Sequence, residues 1–281
     1  MNLYTINTGY FKLDGGAMFG VVPKSLWKNL NPPDENNMCS WALRCLLIED
    51  GKRLILVDNG IGDKQDAKFF SYYYLHGDDT LDKSLAKAGF DRNDITDVFL
   101  THLHFDHCGG SIKRDGDKLI PAFKNATYWS NEAHWEWAVR PNDREKASFL
   151  KENILPIKES GQLKFIERAG NATGSFNDNI SVRFVDGHTT SMMLPQITYQ
   201  NKTVVFMADL LPSAGHIPIP YVMAYDMFPL TTLGEKKSFL DDAVKNDFIL
   251  FFEHDPVREC CNVQQTERGI KPKDFFKLSE V

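Results

Sequence analysis

Short apolar runs separated by polar, glycine-containing turns recur along the chain and predict a series of β-strands. Residues 41–48 and 53–57 are two such runs joined by the polar turn at 49–52, so we expect them to pair as neighbouring strands. The amino-terminal residues 1–14 predict a first strand, and the apolar run at 98–100 predicts a buried one. Further strands are expected near residues 163–166, 180–185, 193–199, 203–208 and 247–252.

Helical spacing of apolar residues predicts helices between these strands. Leu81, Leu85 and Ala88, for example, would lie on one helix face. The expected helices run from a cap at Asp79 or Thr80 to Ala88 before Gly89, over 131–137 after a cap at Ser130, from Asp143 to Leu155 before Pro156, and near 232–245. Because strands and helices alternate without a linker or low-complexity segment, we expect one α/β domain over residues 1–281.

Composition narrows the classes of partner. The net charge is −6 and no cluster of Lys and Arg occurs, which argues against a nucleic-acid partner. No apolar run approaches the roughly 20 residues needed to cross a bilayer, and the amino terminus lacks the pattern of a secretory signal. The five irregularly spaced cysteines do not resemble a disulfide framework, so a cytoplasmic location is expected.

Seven residues of metal-ligand type follow one another in order along the chain. Four of them lie in L-T-H-L-H-F-D-H-C-G-G at 100–110, and each of the other three ends a short apolar run. In an extended chain alternate side chains share a face, so His102 and His104 can point the same way. The set is His102, His104, Asp106, His107, His188, Asp209 and His254. Imidazoles and carboxylates in this number predict two adjacent divalent metal ions, with zinc favoured and iron, manganese or cobalt also suited.

The sequence T-H-L-H-F-D-H-C-G-G resembles the T-H-x-H-x-D-H-x-G-G signature of the metallo-β-lactamase superfamily. D-G-H-T-T, F-M-A-D-L-L, F-F-E-H and V-D-N-G (57–60) are similar to that superfamily's other motifs, with Asn59 where a threonine is usual. The resemblance covers residues 1 to 260 and implies a four-layer αβ/βα sandwich with a dinuclear site at one edge.

The resemblance also implies a role for each ligand. One metal would take His102, His104 and His188; the other would take Asp106, His107 and His254; and Asp209 would bridge them. Asp58 would orient a ligand from behind. A hydroxide bridging the metals would attack a carbonyl carbon or phosphorus, and Asp106 would help to move the proton.

Three apolar loops are expected near this site. They span 14–27, 69–77 and 211–228 and are rich in aromatic or methionine residues. Either they form a pocket over the metals, or they belong to the core or to a homodimer interface. Candidate substrate contacts are Met18, Phe19, Tyr221, Phe228 and, close in sequence to Asp209, His216.

The sequence leaves more than one class of substrate open. H-L-H-F-D-H is the form found in N-acyl homoserine lactonases, which often carry a tyrosine three residues after the bridging aspartate, where this chain has Pro212. The apolar loops favour a lactone or ester with an apolar portion. Hydrolysis of organophosphate triesters, as in the branch related to methyl parathion hydrolase, is the alternative. A mononuclear iron persulfide dioxygenase is the alternative from a different class.

Overall fold

Two large β-sheets face each other across a shared apolar core. A computed structural model describes residues 1–170 and 173–281. The strands are β1 Asn2–Asp14, β2 Met38–Asp50, β3 Arg53–Val57, β4 Asp97–Phe99, β5 Ile112–Asp115, β6 Lys118–Pro121, β7 Thr127–Ser130, β8 Leu163–Phe165, β9 Thr173–Asn177, β10 Ile180–Val185, β11 Met192–Tyr199, β12 Lys202–Phe206, β13 Ile249–Phe251, β14 Cys260–Thr266 and β15 Gly269–Phe276. The strands predicted from sequence are therefore confirmed to within a few residues.

Eight α-helices accompany the strands in the described residues. They are α1 Gly15–Phe19, α2 Lys24–Trp27, α3 Ala67–Ser71, α4 Leu81–Lys87, α5 Phe105–Cys108, α6 Glu132–Val139, α7 Lys151–Glu159 and α8 Pro229–Lys245. Three short 3₁₀ helices lie at 109–111, 214–216 and 278–280. None of the helices in these residues combines the length and hydropathy needed to cross a bilayer.

The first sheet has the order β1-β2-β3-β4-β7-β8, and the second has the order β15-β14-β13-β12-β11-β10-β9. β3, β4, β7 and β8 run parallel to one another, and β12 pairs in parallel with β13. Because parallel neighbours end at the same edge of a sheet, the residues that follow β3, β4, β12 and β13 are brought to two facing edges.

Side-chain alternation along β2 and β3 divides the core into two layers. Leu46, Ile48 and Ile55 point into the core between the sheets, whereas Leu47 and Leu56 point to the opposite side. Helices α4, α6 and α7 cover that opposite side, and α8 covers the outer face of the second sheet. The order of layers is helix, sheet, sheet, helix, which confirms the predicted αβ/βα sandwich.

Two helices, α6 and α7, differ at their ends from the sequence prediction. Asn131, not Ser130, caps α6, because the Asn131 side chain accepts from the backbone N–H of His134. The helix predicted from Asp143 to Leu155 is wrong at both ends, since it begins only at Lys151 and continues through Pro156 to Glu159. Residues 141–150 form turns instead, with the Asn142 side chain accepting from two following N–H groups. The strands that were not predicted are β5, β6, β7, β9, β14 and β15.

Candidate metal centre

The predicted ligands follow strand ends in a regular way. His102, His188, Asp209 and His254 each lie three residues after a strand, namely β4, β10, β12 and β13. The short helix α5 adds Asp106 and His107. Gly109 and Gly110 let this motif lie against the backbone of residues 59–61, because a Cβ at either position would collide with a carbonyl there. The ends of these four strands, together with helix α5, thus bring all seven side chains to one place.

The seven side chains form two adjoining sets. The first set consists of His102, His104, His188 and Asp209, and the second consists of Asp106, His107 and His254. In the first set His104 Nδ1 lies 3.1 Å from His102 Nε2 and 3.2 Å from His188 Nε2. In the second set His107 Nε2 lies 3.2 Å from His254 Nε2. One nitrogen of each ring therefore faces the centre of its set.

Asp209 lies between the two sets. Its Oδ2 is 3.1 Å from His188 Nε2 and 3.5 Å from His107 Nε2, and its Oδ1 is 3.2 Å from His254 Nε2. Asp106 is more distant, with Oδ2 at 3.7 Å from His107 Nε2 and 3.8 Å from His254 Nε2. Burial opposes ionisation of Asp209, but the three neighbouring histidines together hold its pKa well below the usual range.

The other nitrogen of each ring contacts an oxygen outside the centre. These contacts are His102 Nδ1 with Thr101 Oγ1 (3.1 Å), His104 Nε2 with Glu145 Oε1 (3.0 Å), His107 Nδ1 with Asp58 Oδ2 (3.1 Å), His188 Nδ1 with Asp226 Oδ1 (2.8 Å) and His254 Nδ1 with the Ala42 carbonyl (2.8 Å). When the outer nitrogen donates, the inner nitrogen keeps a free lone pair. The outer contacts of all five imidazoles therefore suit the tautomer that a metal ligand requires.

The donor atoms fit divalent metal ions. Two nitrogens bound at about 2.0–2.1 Å in a tetrahedral arrangement lie about 3.3 Å apart, which is close to the separations between the inner nitrogens. Moreover, Asp209 Oδ1 is buried and accepts no hydrogen bond, an arrangement that is costly unless a cation satisfies it. The site can therefore hold divalent metals, and the two sets would share Asp209.

Asp58 lies behind the centre, as the sequence motif implied. Its Oδ1 accepts from the Thr101 N–H (2.8 Å), and its Oδ2 accepts from the Thr101 hydroxyl (2.6 Å) as well as from His107. A second carboxylate, Glu253, approaches His107 Nδ1 to 3.0 Å. Burial raises the pKa of Glu253 to about 8, although the neighbouring His107 opposes that shift.

A cavity of about 410 Å³ opens over the two sets. Its apolar wall includes Leu13, Met18, Phe105, Met223 and Met227, and two tyrosines, Tyr73 and Tyr225, also line it. Arg144 is the only Lys or Arg among the described lining residues. The cavity is thus mainly apolar and aromatic, and five of the predicted ligands also line it, namely His104, Asp106, His188, Asp209 and His254.

Only Met18 of the five predicted substrate contacts lines this cavity. Phe19 belongs to a buried apolar cluster with Phe11, Trp27 and Trp41, and it stacks on His216, whose ring is hydrogen-bonded to Ser213 and to the Met18 carbonyl. Tyr221 packs against the same cluster, and Phe228 is on the surface near Trp137. These four residues support the cavity wall or lie outside it, because their loops fold back on the core.

Besides Glu253, the sequence analysis missed three residues around the site. Glu145 and Asp226 hold two ligand histidines, and His134 accepts from the Leu103 N–H between His102 and His104. All three are almost completely buried. No local pattern marks them, since each lies far along the chain from its partner. Glu145, in the N-D-R-E segment at 142–145, was not recognised as a residue of the site because this segment was predicted to be part of a helix.

Comparisons with known proteins agree with this geometry. Residues 44–254 match the family described as the metallo-beta-lactamase superfamily. An N-acyl homoserine lactonase of Bacillus thuringiensis is 26% identical over 272 residues, covering 92% of this chain and 94% of that protein. One from Bacillus cereus is 27% identical over 162 residues, so that the alignment covers 54% of this chain and 57% of that protein.

Two solved structures have similar folds. A probable metal-dependent hydrolase from Staphylococcus aureus has a TM-score of 0.88 at 26% identity, with 98% of this chain and 96% of that chain covered. A dizinc quorum-quenching lactonase, solved with a product, has a TM-score of 0.78 at 22% identity, with 98% and 95% covered. The second likeness, at this identity, concerns the fold alone.

Proposed function

We propose that this chain, which belongs to the metallo-beta-lactamase superfamily and is a metal-dependent hydrolase, opens lactones or cleaves esters that carry an apolar portion. The observation that carries the proposal is the mainly apolar cavity of about 410 Å³ directly above two sets of converging histidine and aspartate side chains. The Bacillus thuringiensis lactonase, which aligns over 92% of this chain, supports the same class of substrate.

Two zinc ions are the proposed cofactors, one in each set, with Asp209 shared between them. When bound, two such cations lower the pKa of water toward neutrality and polarise a carbonyl group. The presence of a second complete set, with Asp106, His107 and His254, supports a dinuclear centre over the mononuclear iron centre of a persulfide dioxygenase.

The chain's own groups would handle the proton and the substrate oxygen. Asp106 lines the cavity, so its carboxylate can accept a proton from the attacking water and deliver it to the leaving alkoxide. Burial raises the pKa of Tyr73 to about 12 and that of Tyr225 further, so both phenols keep their protons. Either tyrosine can donate a hydrogen bond to the substrate carbonyl. Pro212, which stands where lactonases often carry a tyrosine, has no side-chain donor for this role.

The apolar wall would hold the tail of the substrate. Phe105 packs against Phe69 and Tyr73, at ring-centroid distances of 5.4 and 4.7 Å, which makes this wall rigid and aromatic. Arg144 adds a single cation at the rim, which is too little positive charge to bind a polyanion. We therefore propose a small substrate, with neither a nucleic acid nor a membrane as partner.

Hydrolysis of a substrate panel by zinc-loaded enzyme tests the proposal. The panel contains N-acyl homoserine lactones of increasing chain length, aryl esters, a phosphotriester, a β-lactam and a phosphodiester. We expect the highest kcat/KM on a lactone or activated ester, rising with apolar chain length. A phosphotriester as the best substrate would favour the organophosphate alternative, and preferred cleavage of the phosphodiester would refute the proposal.

A further inference from the structure

The two metal sets are supported by different parts of the fold. In the second set, His107 is held by Asp58 at the end of β3 and His254 by the Ala42 carbonyl of β2, so the first sheet fixes both rings. In the first set, His104 and His188 are held by Glu145 and Asp226, which lie in loops. We call these the 141–150 loop and the 211–228 loop.

The same two loops form one side of the substrate cavity. The 141–150 loop contributes Arg144, Ala147 and Ser148 to the lining, and the 211–228 loop contributes Met223, Tyr225 and Met227. The loops also contact each other, because the Arg144 guanidinium donates to the Ala224 carbonyl. Each loop therefore joins the cavity wall to one ligand histidine of the first set.

Further hydrogen bonds hold the Glu145 carboxylate and the backbone next to Asp226. Glu145 Oε2 accepts from Trp137 Nε1 (2.6 Å) and from Asn142 Nδ2 (3.3 Å), while its other oxygen accepts from His104. Around Asp226, the Met227 N–H donates to the His188 carbonyl (3.0 Å) and the Phe228 N–H to that of Gly187 (2.8 Å).

From this arrangement we infer that Glu145 and Asp226 are positioning residues that couple occupancy of the first set by a metal to the order of the cavity wall. A metal in the first set fixes the rings of His104 and His188, and their outer hydrogen bonds then fix the two loops. By thermodynamic linkage, whatever orders the loops must strengthen binding of that metal by the same factor. In the second set the outer ring nitrogens of His107 and His254 bond to the first sheet instead, and its contact with the 211–228 loop is a backbone bond from the His254 N–H to the Pro212 carbonyl (3.1 Å), which does not depend on the orientation of a ligand ring.

This inference rests on the proposed metal centre, and Zn²⁺ alone is the probe that tests it. Metal-free wild type, Glu145→Gln and Asp226→Asn are titrated against a chromophoric chelator. We expect each substitution to weaken one of the two zinc sites about 10- to 100-fold, as is usual for a group behind a ligand histidine, and to leave the other unchanged. Anomalous-scattering occupancies in zinc-loaded crystals then identify the weakened site, which should be the first set.

Hydrogen exchange provides a second readout, which a merely structural role would not change. In the wild type, zinc should slow exchange in the 141–150 and 211–228 loops, and each substitution should reduce this protection. Asp143→Asn is the matched control, since Asp143 is in the 141–150 loop but its side chain is 98% exposed. Both isosteric variants should keep the wild-type circular dichroism without metal.

The outcomes separate the inference from the proposed function. Failure of the wild type to bind two zinc ions would overturn the metal centre and the inference together. Two zinc sites in the wild type, with both variants binding them equally well or losing the metal of the second set, would overturn the inference alone. Loop protection that is independent of zinc would also overturn it.

Discussion

The backbone N–H of Leu103 donates to Nε2 of His134 over 2.8 Å, and Nδ1 of His134 lies 2.7 Å from the Thr190 carbonyl, to which it donates. One uncharged ring thus joins the chain between His102 and His104 to the chain just after His188. Burial lowers the pKa of His134 to about 4, so it remains neutral at physiological pH. Through His134, helix α6 therefore holds the backbone at Leu103 and the backbone at Thr190 in a fixed relation, although it contributes no ligand itself.

His134→Leu should destabilise the metal-free protein and weaken zinc binding. The substitution leaves the Leu103 N–H and the Thr190 carbonyl without partners in a buried region, which costs about 1–3 kcal/mol for each group. Denaturant unfolding with EDTA measures the loss of stability, and chelator competition measures zinc affinity. Glu132→Gln, on the exposed side of α6, is the control. Wild-type zinc affinity in His134→Leu would contradict the positioning role.

Asp209→Ala should abolish most activity and lower the zinc content while the fold survives. Asp209 is the carboxylate that approaches histidines of both sets, so its removal leaves two nearby cations less well neutralised. Elemental analysis of the purified protein gives the zinc content, circular dichroism reports folding, and hydrolysis of a lactone gives the activity. Asp241→Ala changes an exposed aspartate and is the control. Two bound zinc ions with near-normal turnover would refute the bridging role.

How much of this site could be predicted depends on whether the information is local. His102, His104, Asp106 and His107 lie within six residues of one another, and a strand followed by a turn brings them together whatever the rest of the chain does. Asp209 and His254 follow strands that pair in parallel, so one edge of a sheet brings them close. Glu145 and Asp226 are instead positioned by tertiary contacts, so their spacing from the ligands along the sequence does not indicate their role.

The fold was predicted well where apolar patterns are strong and poorly where polar side chains determine the backbone. The runs in β2, β3 and β12 are nearly continuous and bury both faces. Residues 141–150 contain good helix formers, but Glu145 turns inward to His104 and Asn142 caps a turn, so the helix is delayed. β15 is largely exposed and lacks a clear alternation of apolar residues.

Removal of a phenol from the cavity should slow lactone opening. Tyr73→Phe and Tyr225→Phe each keep the ring but lose a protonated donor, and the substitution at the tyrosine that contacts the carbonyl should lower kcat/KM about 10-fold or more. Steady-state kinetics on one lactone measures this effect, with zinc content checked in each variant. Tyr72→Phe, at an exposed position that does not line the cavity, is the control. Full activity in the Tyr73 and Tyr225 double variant would show that neither phenol takes part.

Lys236→Met should loosen the 211–228 loop. The ammonium group is almost fully buried and donates to the carbonyls of Pro218 (3.1 Å), Ile219 (3.2 Å) and Tyr221 (2.8 Å). Methionine fills a similar volume but donates to none of them, so we expect a loss of about 2–4 kcal/mol and a higher KM. Lys237→Met, at the exposed neighbouring position, is the control. Unchanged stability and KM would mean that the loop is held by other contacts.

The stability of the metal-free protein should fall as the pH drops below about 6.5, and His216 should contribute to this fall. Burial lowers the pKa of His216 to about 3, whereas an unfolded histidine titrates near 6.5. Between these values the unfolded state binds more protons, so the free energy of unfolding decreases as the pH falls, by at most about 1.4 kcal/mol per pH unit for this group.

His216→Gln removes this titrating group and keeps an amide that can donate to the Met18 carbonyl, as the His216 Nε2–H does over 2.9 Å. The free energy of unfolding, measured in urea with EDTA at pH 7, 6 and 5, should therefore depend less steeply on pH in the variant than in the wild type. His76→Gln, at an exposed position, should leave the wild-type slope unchanged. Equal slopes in His216→Gln and the wild type would mean that the ring is protonated within the fold, which would contradict its stacking on Phe19 as a neutral imidazole.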